Sequence, residues 1–122
     1  MKIGVVGSRD WKDLDKAQDK LIEIVCDFLD GDVDEIVSGG AIGIDTMAES
    51  YAKMFDFKLT VFKPEYDKFG KGAPFIRNTT IVDNSDMIIA FWNGTSKGTL
   101  DTIRKAVKQG KEVFITGEKN DT

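Results

Sequence analysis

The sequence predicts an α/β fold in which a mostly parallel five-stranded sheet lies between two layers of helices. The first observation is that short runs of aliphatic residues alternate along the chain with stretches whose apolar residues recur every three or four positions. The second is that glycine-rich segments follow several of these runs, as expected where a buried strand turns into a helix. Alternation of this kind favours parallel strands joined by helical crossovers.

The predicted strands are short, apolar and rich in β-branched residues. They cover residues 3–6, 34–38, 59–62, 87–92 and 113–115. The fourth of these is the most apolar, and it is therefore predicted to be the central strand.

The predicted helices are defined by apolar residues at spacings of three and four. They cover about residues 13–30, 43–55, 74–84 and 97–109, and residues 65–73 are predicted as the one long loop. The first stripe places Cys26 and Phe28 on the buried face, where a lone cysteine acts as a small hydrophobe. Phe55 and Val107 belong to the buried stripes of the second and fourth helices. Pro74 suits a first helical turn.

The composition is that of an ordinary folded domain. Of 122 residues, 41% are hydrophobic, too many for a disordered chain. We expect a single domain over residues 1–122. No apolar run approaches the roughly 20 residues of a membrane span, and glycines at positions 4 and 7 do not suit a signal peptide. These features predict a cytoplasmic protein without a membrane partner.

Two absences restrict the chemistry. The chain contains no histidine, which excludes Ser-His and Cys-His nucleophiles and histidine-based metal sites within one chain. Its one cysteine forms no internal disulfide and no zinc cluster. The sequence therefore predicts no metal site and identifies no cofactor.

The charge balance is acidic. Lys and Arg number 17 against 21 Asp and Glu, which gives a net charge of −4. Nonspecific duplex binding depends on phosphate neutralisation, so this balance argues against nucleic acid as a partner. A locally positive edge stays open, since four lysines fall in or beside predicted loops. These are Lys63, Lys68, Lys71 and Lys97.

Small, hydroxyl and charged residues collect directly after the predicted strands. Carboxyl ends of parallel strands share one edge of a sheet, where such folds bind ligands. Glycines let a ligand approach the backbone, and helix N-termini suit phosphate. The alternative is that each glycine only makes a turn. The candidate ligand-binding residues are Gly7, Ser8, Arg9, Ser38, Gly39, Gly40, Ala41, Gly43, Asp45, Gly94, Thr95, Ser96, Gly98 and Thr99.

Several charged residues have more than one possible role. Arg77 lies near a helix start, where a cation opposes the dipole. It could face a ligand phosphate, or pair with Asp45 or Asp83. Arg9 could also face a ligand phosphate, or it could form a surface ion pair. Asp45 could cap its helix, bind a ribose hydroxyl, or act with Glu49 as the carboxylate pair of a glycosidic bond cleavage.

Three aromatic residues flank the predicted loop. Tyr66, Phe69 and Phe75 could pack in the core, form a lid, or stack on a nucleobase.

The glycine-rich turns after the second and fourth predicted strands do not end in the Gly-Lys-Ser/Thr of a P-loop. The turns therefore indicate phosphate or sugar without specifying a base.

Four motifs resemble the SLOG superfamily of Rossmann-like domains over nearly the whole chain. They are Gly7-Ser8-Arg9, the run from Ser38 to Asp45, Arg77-Asn78, and Ser96-Lys97-Gly98-Thr99. The superfamily includes DprA, the LOG-type phosphoribohydrolases and molybdenum-cofactor carrier proteins, and the small YspA-like domains look most similar. The resemblance implies nucleotide-derived ligands at the sheet edge, adds Asn78 to the candidate site, and implies homo-oligomerisation.

The chain departs from two of these relatives. LOG-type enzymes carry a catalytic glutamate where this chain has Thr102, and the neighbouring Asp101 is about 100° around the helix. Catalysis is therefore uncertain and not favoured. DprA has a longer chain and a histidine where this chain has Glu49, which adds to the argument against nucleic acid.

The sequence thus predicts a domain that binds a nucleotide or nucleotide-derived ligand, such as one of the ADP-ribose class. It would act as a sensor, carrier or sequestering protein. The first alternative is an N-glycosidase acting on nucleotides, with Asp45 or Glu49 as acid/base. The second alternative is a DprA-like binder of single-stranded nucleic acid.

Overall fold

The computed structural model describes residues 1–117, and it confirms the predicted fold class. Five strands form one sheet: β1 (Lys2–Gly7), β2 (Glu35–Ser38), β3 (Lys58–Val61), β4 (Met87–Phe91) and β5 (Glu112–Thr116). The α-helices are α1 (Leu14–Glu23), α2 (Ile44–Met54), α3 (Tyr66–Phe69), α4 (Ala73–Asp83) and α5 (Lys97–Lys108).

The strand order is β3-β2-β1-β4-β5, and every neighbouring pair is parallel. The prediction that residues 87–92 form the central strand is wrong, because β1 holds that place. β4 is nevertheless fully buried, since it has a strand on each side and helices on both faces. The chain leaves β3 at one edge and crosses to β4 beyond β1. The strand order therefore reverses between β1 and β4, where doubly wound sheets bind ligands.

Two hydrophobic cores cover the two faces of the sheet. α1 and α2 bury Leu21 and Ala48 on one face. α4 and α5 bury Ile81 and Ala106 on the other. Both crossover layers thus rest on the sheet through apolar stripes, which fixes the helix N-termini at its carboxyl edge.

The first helix departs from prediction near its end. Asp13 caps its start by accepting a 3.0 Å hydrogen bond from the Lys16 amide. From Ile24 to Phe28 the helix widens into a π-helical turn. This turn shifts the buried stripe, so Cys26 and Phe28 are exposed, contrary to prediction, and Leu29 packs against the core instead.

Two other apolar residues are more exposed than predicted. Phe55 is 47% exposed because α2 ends at Met54 and Phe55 is only its C-cap. Val107 is 63% exposed. The buried stripe of α5 runs through Ile103 and Ala106, which leaves Val107 outside its margin.

The predicted long loop is partly helical. It contains the single turn of α3 and a 3₁₀ turn over Gly70–Gly72, followed directly by α4. Among the helices of residues 1–117, none has the length and apolar character needed to cross a bilayer.

A candidate ligand-binding cleft at the carboxyl edge of the sheet

A cleft of about 320 Å³ opens where the strand order reverses. Its walls come from the end of β1, the start of α2, helix α4 and the start of α5. The predicted residues that line it are Gly7, Arg9, Ala41, Asp45, Arg77, Asn78, Ser96, Gly98 and Thr99. The lining residues absent from the predicted ligand-binding set are Val6, Tyr66, Pro74, Phe75, Ile81 and Thr102. The cleft therefore combines two guanidinium groups, one carboxylate, hydroxyl groups and an apolar floor.

The other predicted ligand-binding residues lie outside the lining of this cleft. They are Ser8, Ser38, Gly39, Gly40, Gly43, Gly94 and Thr95. Several of these hold the surrounding loops in place. The Ser8 hydroxyl accepts a 3.3 Å hydrogen bond from the Asn93 amide, and it thereby joins the loops after β1 and β4. Gly94 and Thr95 are exposed on the latter loop.

Gly43 shows why the loop after β2 needs glycine. Its φ of +82° is a conformation that residues with a side chain rarely adopt. A Cβ atom at this position would also lie 2.6 Å from the carbonyl oxygen of Arg9. Gly43 thus allows the start of α2 to pack against the loop that carries Arg9.

Arg77 projects from α4 onto the loop after β2. Its Nη1 donates a hydrogen bond to the carbonyl oxygen of Gly39, and its Nε donates to Asn78 Oδ1 at 3.0 Å. Burial lowers the pKa of Arg77, while the charge of Asp45 acts in the opposite direction. These bonds hold the guanidinium in one orientation beside the cleft.

The predicted ion-pair partners of Arg77 behave differently from each other. Asp83 lies at the far end of α4, where it accepts a 2.7 Å hydrogen bond from Gln109, and the ion pairs within residues 1–117 do not join it to Arg77. Asp45 lies close to the same guanidinium, but the ion pairs within residues 1–117 do not join the two. Arg77 is therefore positioned by a carbonyl and an amide, and Asp45 acts on it through its charge without a direct ion pair.

Asp45 lies in the first turn of α2 and is only 6% exposed. Its Oδ2 accepts a 3.1 Å hydrogen bond from the Ala41 amide, so it fixes the glycine-rich loop. Burial raises the pKa of Asp45 from 3.8 to about 6. The Ala41 N–H and the charge of Arg77 oppose this rise, and the charge of Glu49 adds to it. This carboxyl group changes charge near neutral pH on the wall of the cleft.

Glu49, the second candidate for acid/base chemistry, serves another contact. Its Oε2 accepts a 3.2 Å hydrogen bond from the buried hydroxyl of Ser38, and Glu49 does not line the cleft. Thr102 does line the cleft, and its hydroxyl donates to the Gly98 carbonyl at 3.3 Å. The position of the LOG-type glutamate is thus in the cleft but carries no carboxylate. The expectation that the chain does not cleave the glycosidic bond of a nucleotide remains a prediction.

Asn78 connects α4 to the start of α5. Its Nδ2 donates to the Gly98 carbonyl at 3.2 Å and to Asp101 Oδ2 at 3.1 Å. Asp101 in turn forms a 2.8 Å ion pair with Lys105. The buried amide of Asn78 therefore positions both Arg77 and the first turn of α5.

The loop before α5 is organised by Asn93, which the sequence analysis did not place in the site. Asn93 Oδ1 accepts hydrogen bonds from the amides of Thr95 and Ser96 at 2.9 and 2.8 Å. Ser96 then caps α5 by accepting from the Thr99 amide at 3.4 Å. An Asn two residues before a Thr and three before a helix cap is a recognisable side-chain turn, and this signal could have identified it.

Two aromatic residues lie at the mouth of the cleft. Tyr66 and Phe75 both line it and are 52% and 46% exposed. Phe69, the third predicted aromatic, borders a smaller cavity that Arg77 also lines. In the part of the chain that the structure describes, no group of three Cys, Asp or Glu residues lies close enough to hold a metal ion.

A known family matches about half of the chain. The family described as DNA recombination-mediator protein A matches residues 1–62, which include β1 and the glycine-rich loop after β2. No curated protein matches the chain.

Two solved structures share the fold. DNA processing protein A from Helicobacter pylori has a TM-score of 0.73 and 20% identity, covering 99% of this chain. DNA processing protein A (DprA) from Streptococcus pneumoniae has a TM-score of 0.72 and 27% identity, covering 93% of this chain. This chain spans 67% of the first protein and 49% of the second.

These findings support the predicted relation to DprA within the superfamily; they leave the likeness to YspA-like domains untested. They also correct one prediction. Nucleic acid was judged an unlikely partner, but the similar protein from Helicobacter pylori binds single-stranded DNA. Net charge is a poor guide to nucleic-acid binding because it averages over the whole surface, whereas phosphate contacts depend on the local groups at the binding edge.

Proposed function

We propose that this chain, which belongs to the DNA recombination-mediator protein A family, binds single-stranded DNA in the cleft at the carboxyl edge of its sheet. The observation that carries the proposal is the pair of guanidinium groups, Arg9 and Arg77, on the wall of a cleft that also receives the N-terminus of α5. Guanidinium forks and helix N-termini are the groups that bind phosphate most directly.

Arg77 is the main phosphate contact in this proposal. Its bonds to Gly39 and Asn78 hold the guanidinium in place before a ligand arrives. A pre-positioned side chain loses little conformational freedom on binding. Arg9 is exposed, so its side chain can adjust to the phosphate backbone of the bound DNA.

The bases would contact the aromatic residues at the cleft mouth. Tyr66 and Phe75 are half exposed there. Stacking on aromatic rings contributes about 1–3 kcal/mol per base and tolerates any sequence. The expected ligand is therefore a flexible single strand without strong base preference, because duplex DNA keeps its bases stacked inside.

The test is a titration of fluorescently labelled oligothymidylate followed by anisotropy. We expect Arg77→Ala to weaken binding by about 1.5–3 kcal/mol, roughly 10- to 150-fold, as for a lost charge-assisted hydrogen bond. Arg77→Lys should restore only part of this, because an ammonium cannot form the two-pronged contact.

Arg104→Ala is the matched control. Arg104 is exposed on α5 and does not line the cleft, so its loss removes the same charge without a contact. Equal affinity of the Arg77→Ala protein and wild type, with both folded, would refute the proposal. Equal losses in both variants would indicate general attraction of charge instead of a site.

A second candidate is a free nucleotide or nucleotide-derived ligand, as the sequence first predicted. The volume of the cleft favours it, since about 320 Å³ lies at the lower end of small-ligand pockets. Competition distinguishes the two candidates. A mononucleotide that binds as tightly as an oligonucleotide would support the second candidate, and much weaker binding would support the first.

A further inference from the structure

A second, smaller cavity shares Arg77 with the cleft. It has a volume of about 50 Å³ and lies between the end of β3 and the helices α3 and α4. Arg77 lines both cavities. One arginine is therefore common to two concave surfaces on the same edge of the sheet.

The chemistry of the small cavity suits a nucleobase. Phe62, Phe69 and Ile76 give it apolar walls, and Thr80 adds a hydroxyl group. Glu65 also lines it. A carboxylate repels phosphate but accepts a hydrogen bond from an amino or imino group of a base. A base edge can therefore bind beside Glu65, while Lys63 and Arg77, which also line the cavity, can face a phosphate.

Cations lie in and beside the small cavity, where they can meet the phosphate backbone of a bound DNA strand. Lys63 lines it, and the aliphatic part of that side chain packs on the glycine-rich loop, because a Cβ atom at Gly40 would lie only 2.9 Å from Lys63 Cγ. Lys68 Nζ lies 5.3 Å from the ring centroid of Phe69. With Arg77, these residues provide positive charge around a cavity whose lining is part polar and part aromatic.

The size of the small cavity decides how it can be used. A volume of about 50 Å³ cannot enclose a nucleotide, for which sites of several hundred Å³ are usual. It can receive the edge of one base stacked on Phe69, provided that something else holds the strand. The neighbouring cleft supplies that anchor.

We propose that Arg77 separates two consecutive nucleotide subsites of a single strand, with one nucleotide in the cleft and the base of its neighbour at Phe69. The phosphodiester between them lies against Arg77 and Lys63. This inference rests on the proposed function and adds to it that the smallest complete ligand is a dinucleotide.

The experiment compares thymidine 5′-monophosphate with 5′-phosphorylated dithymidylate and trithymidylate by calorimetric titration. For the wild-type protein we expect the dinucleotide to bind about 10-fold or more tightly than the mononucleotide, as for one added stacked base. Phe69→Ala should remove most of this gain and leave the affinity for the mononucleotide unchanged. Phe69→Trp should keep the gain, because an indole ring stacks at least as well.

Phe28→Ala is the control variant. Phe28 is exposed, and its ring contacts Phe114, which packs on the α1 and α2 face of the sheet, so Phe28→Ala should leave both affinities unchanged. Phe69 is itself 39% exposed, so its replacement should not unfold the chain, and a thermal melt of each variant checks this.

The outcomes separate this inference from the proposed function. If wild type binds the mononucleotide and long oligonucleotides but gains nothing at the second nucleotide, the two-subsite inference is wrong and the cleft proposal stands. If the gain persists in Phe69→Ala, the second base lies elsewhere and the inference is also wrong. If none of the ligands binds, both proposals fail together.

Discussion

The contact between Gly39 and Arg77 makes Gly39→Ala a sensitive test of the cleft. A Cβ atom at Gly39 would lie 2.6 Å from Arg77 Nη1, 2.9 Å from Arg77 Cζ and 3.0 Å from Asp45 Oδ2. Separations below 3.0 Å cannot persist, so something must move. The atoms in the way are the ends of side chains, whereas the backbone of Gly39 has no positive φ that would forbid alanine. The guanidinium is therefore displaced while the fold remains.

The magnitudes separate binding from stability. Displacing Arg77 from a phosphate should cost about 1.5–3 kcal/mol of binding free energy, or roughly 10- to 150-fold in affinity. In the free protein, the lost hydrogen bond to the Gly39 carbonyl costs about 1–3 kcal/mol. Alanine offsets about 0.4–1 kcal/mol of that loss by restricting the unfolded chain. We therefore expect a large loss of affinity and at most a modest fall in melting temperature.

The assay pairs anisotropy titration of labelled oligothymidylate with thermal melting of the free protein. Gly72→Ala is the control, because nothing lies within 4 Å of a Cβ atom at Gly72 and its φ of −80° suits alanine. This control should bind as wild type does. The reasoning is refuted if Gly39→Ala binds DNA with wild-type affinity, since Arg77 would then be displaced without consequence.

Two further predictions concern Asp45 and Gly43. Burial raises the pKa of Asp45 from 3.8 to about 6, so its contribution to stability is full below pH 4 and is lost, by on the order of 3 kcal/mol, as the pH rises through 6. Over the same range the wall of the cleft gains a negative charge, so DNA affinity should fall with rising pH in wild type but stay level in Asp45→Asn. The measurement is DNA affinity of both proteins from pH 5 to 7.5, and the same pH dependence in both would contradict this prediction. Gly43→Ala forces a side chain into a φ of +82° and against the Arg9 carbonyl. It should therefore destabilise the fold by at least about 1–3 kcal/mol in chemical denaturation, and an unchanged midpoint would show that the loop can rearrange.

The sequence was sufficient to predict the strands and the layers, because buried parallel strands and one-sided helices each leave a strong periodic pattern. It could not predict the order of the strands. β4 is as apolar as a central strand because it is covered on both faces and flanked on both sides. Its neighbours depend on the crossover from β3, which the local pattern does not record.

Irregular and very short helical turns also could not be predicted from the sequence. The π-helical turn over Ile24–Phe28 moves Cys26 and Phe28 outward. A regular period of 3.6 residues cannot predict such a shift, because widening one turn changes the phase of every residue after it. Short helical turns such as α3 are equally hard to predict, since four residues do not establish a period.

The candidate site was predictable as a place and less so as a set of contacts. Residues after the strands do gather at one edge, as the parallel topology requires. The sequence could not say which of them face the cleft. Ser8 and Ser38 use their hydroxyl groups inside the protein, toward Asn93 and Glu49, and buried polar groups generally find such partners.

The acidic net charge is compatible with DNA binding once the charges are placed on the fold. Arg9 and Arg77 line the cleft against the single carboxylate of Asp45, so the lining has a positive balance although the chain carries −4 overall. Charges beyond about 8 Å are largely screened at physiological salt, and the remote acids therefore slow the approach of a DNA strand more than they weaken its contact. Because only a few phosphates can meet these cations, the dependence of affinity on salt should be shallow, and most of the binding free energy should come from stacking and from hydrogen bonds at Arg77.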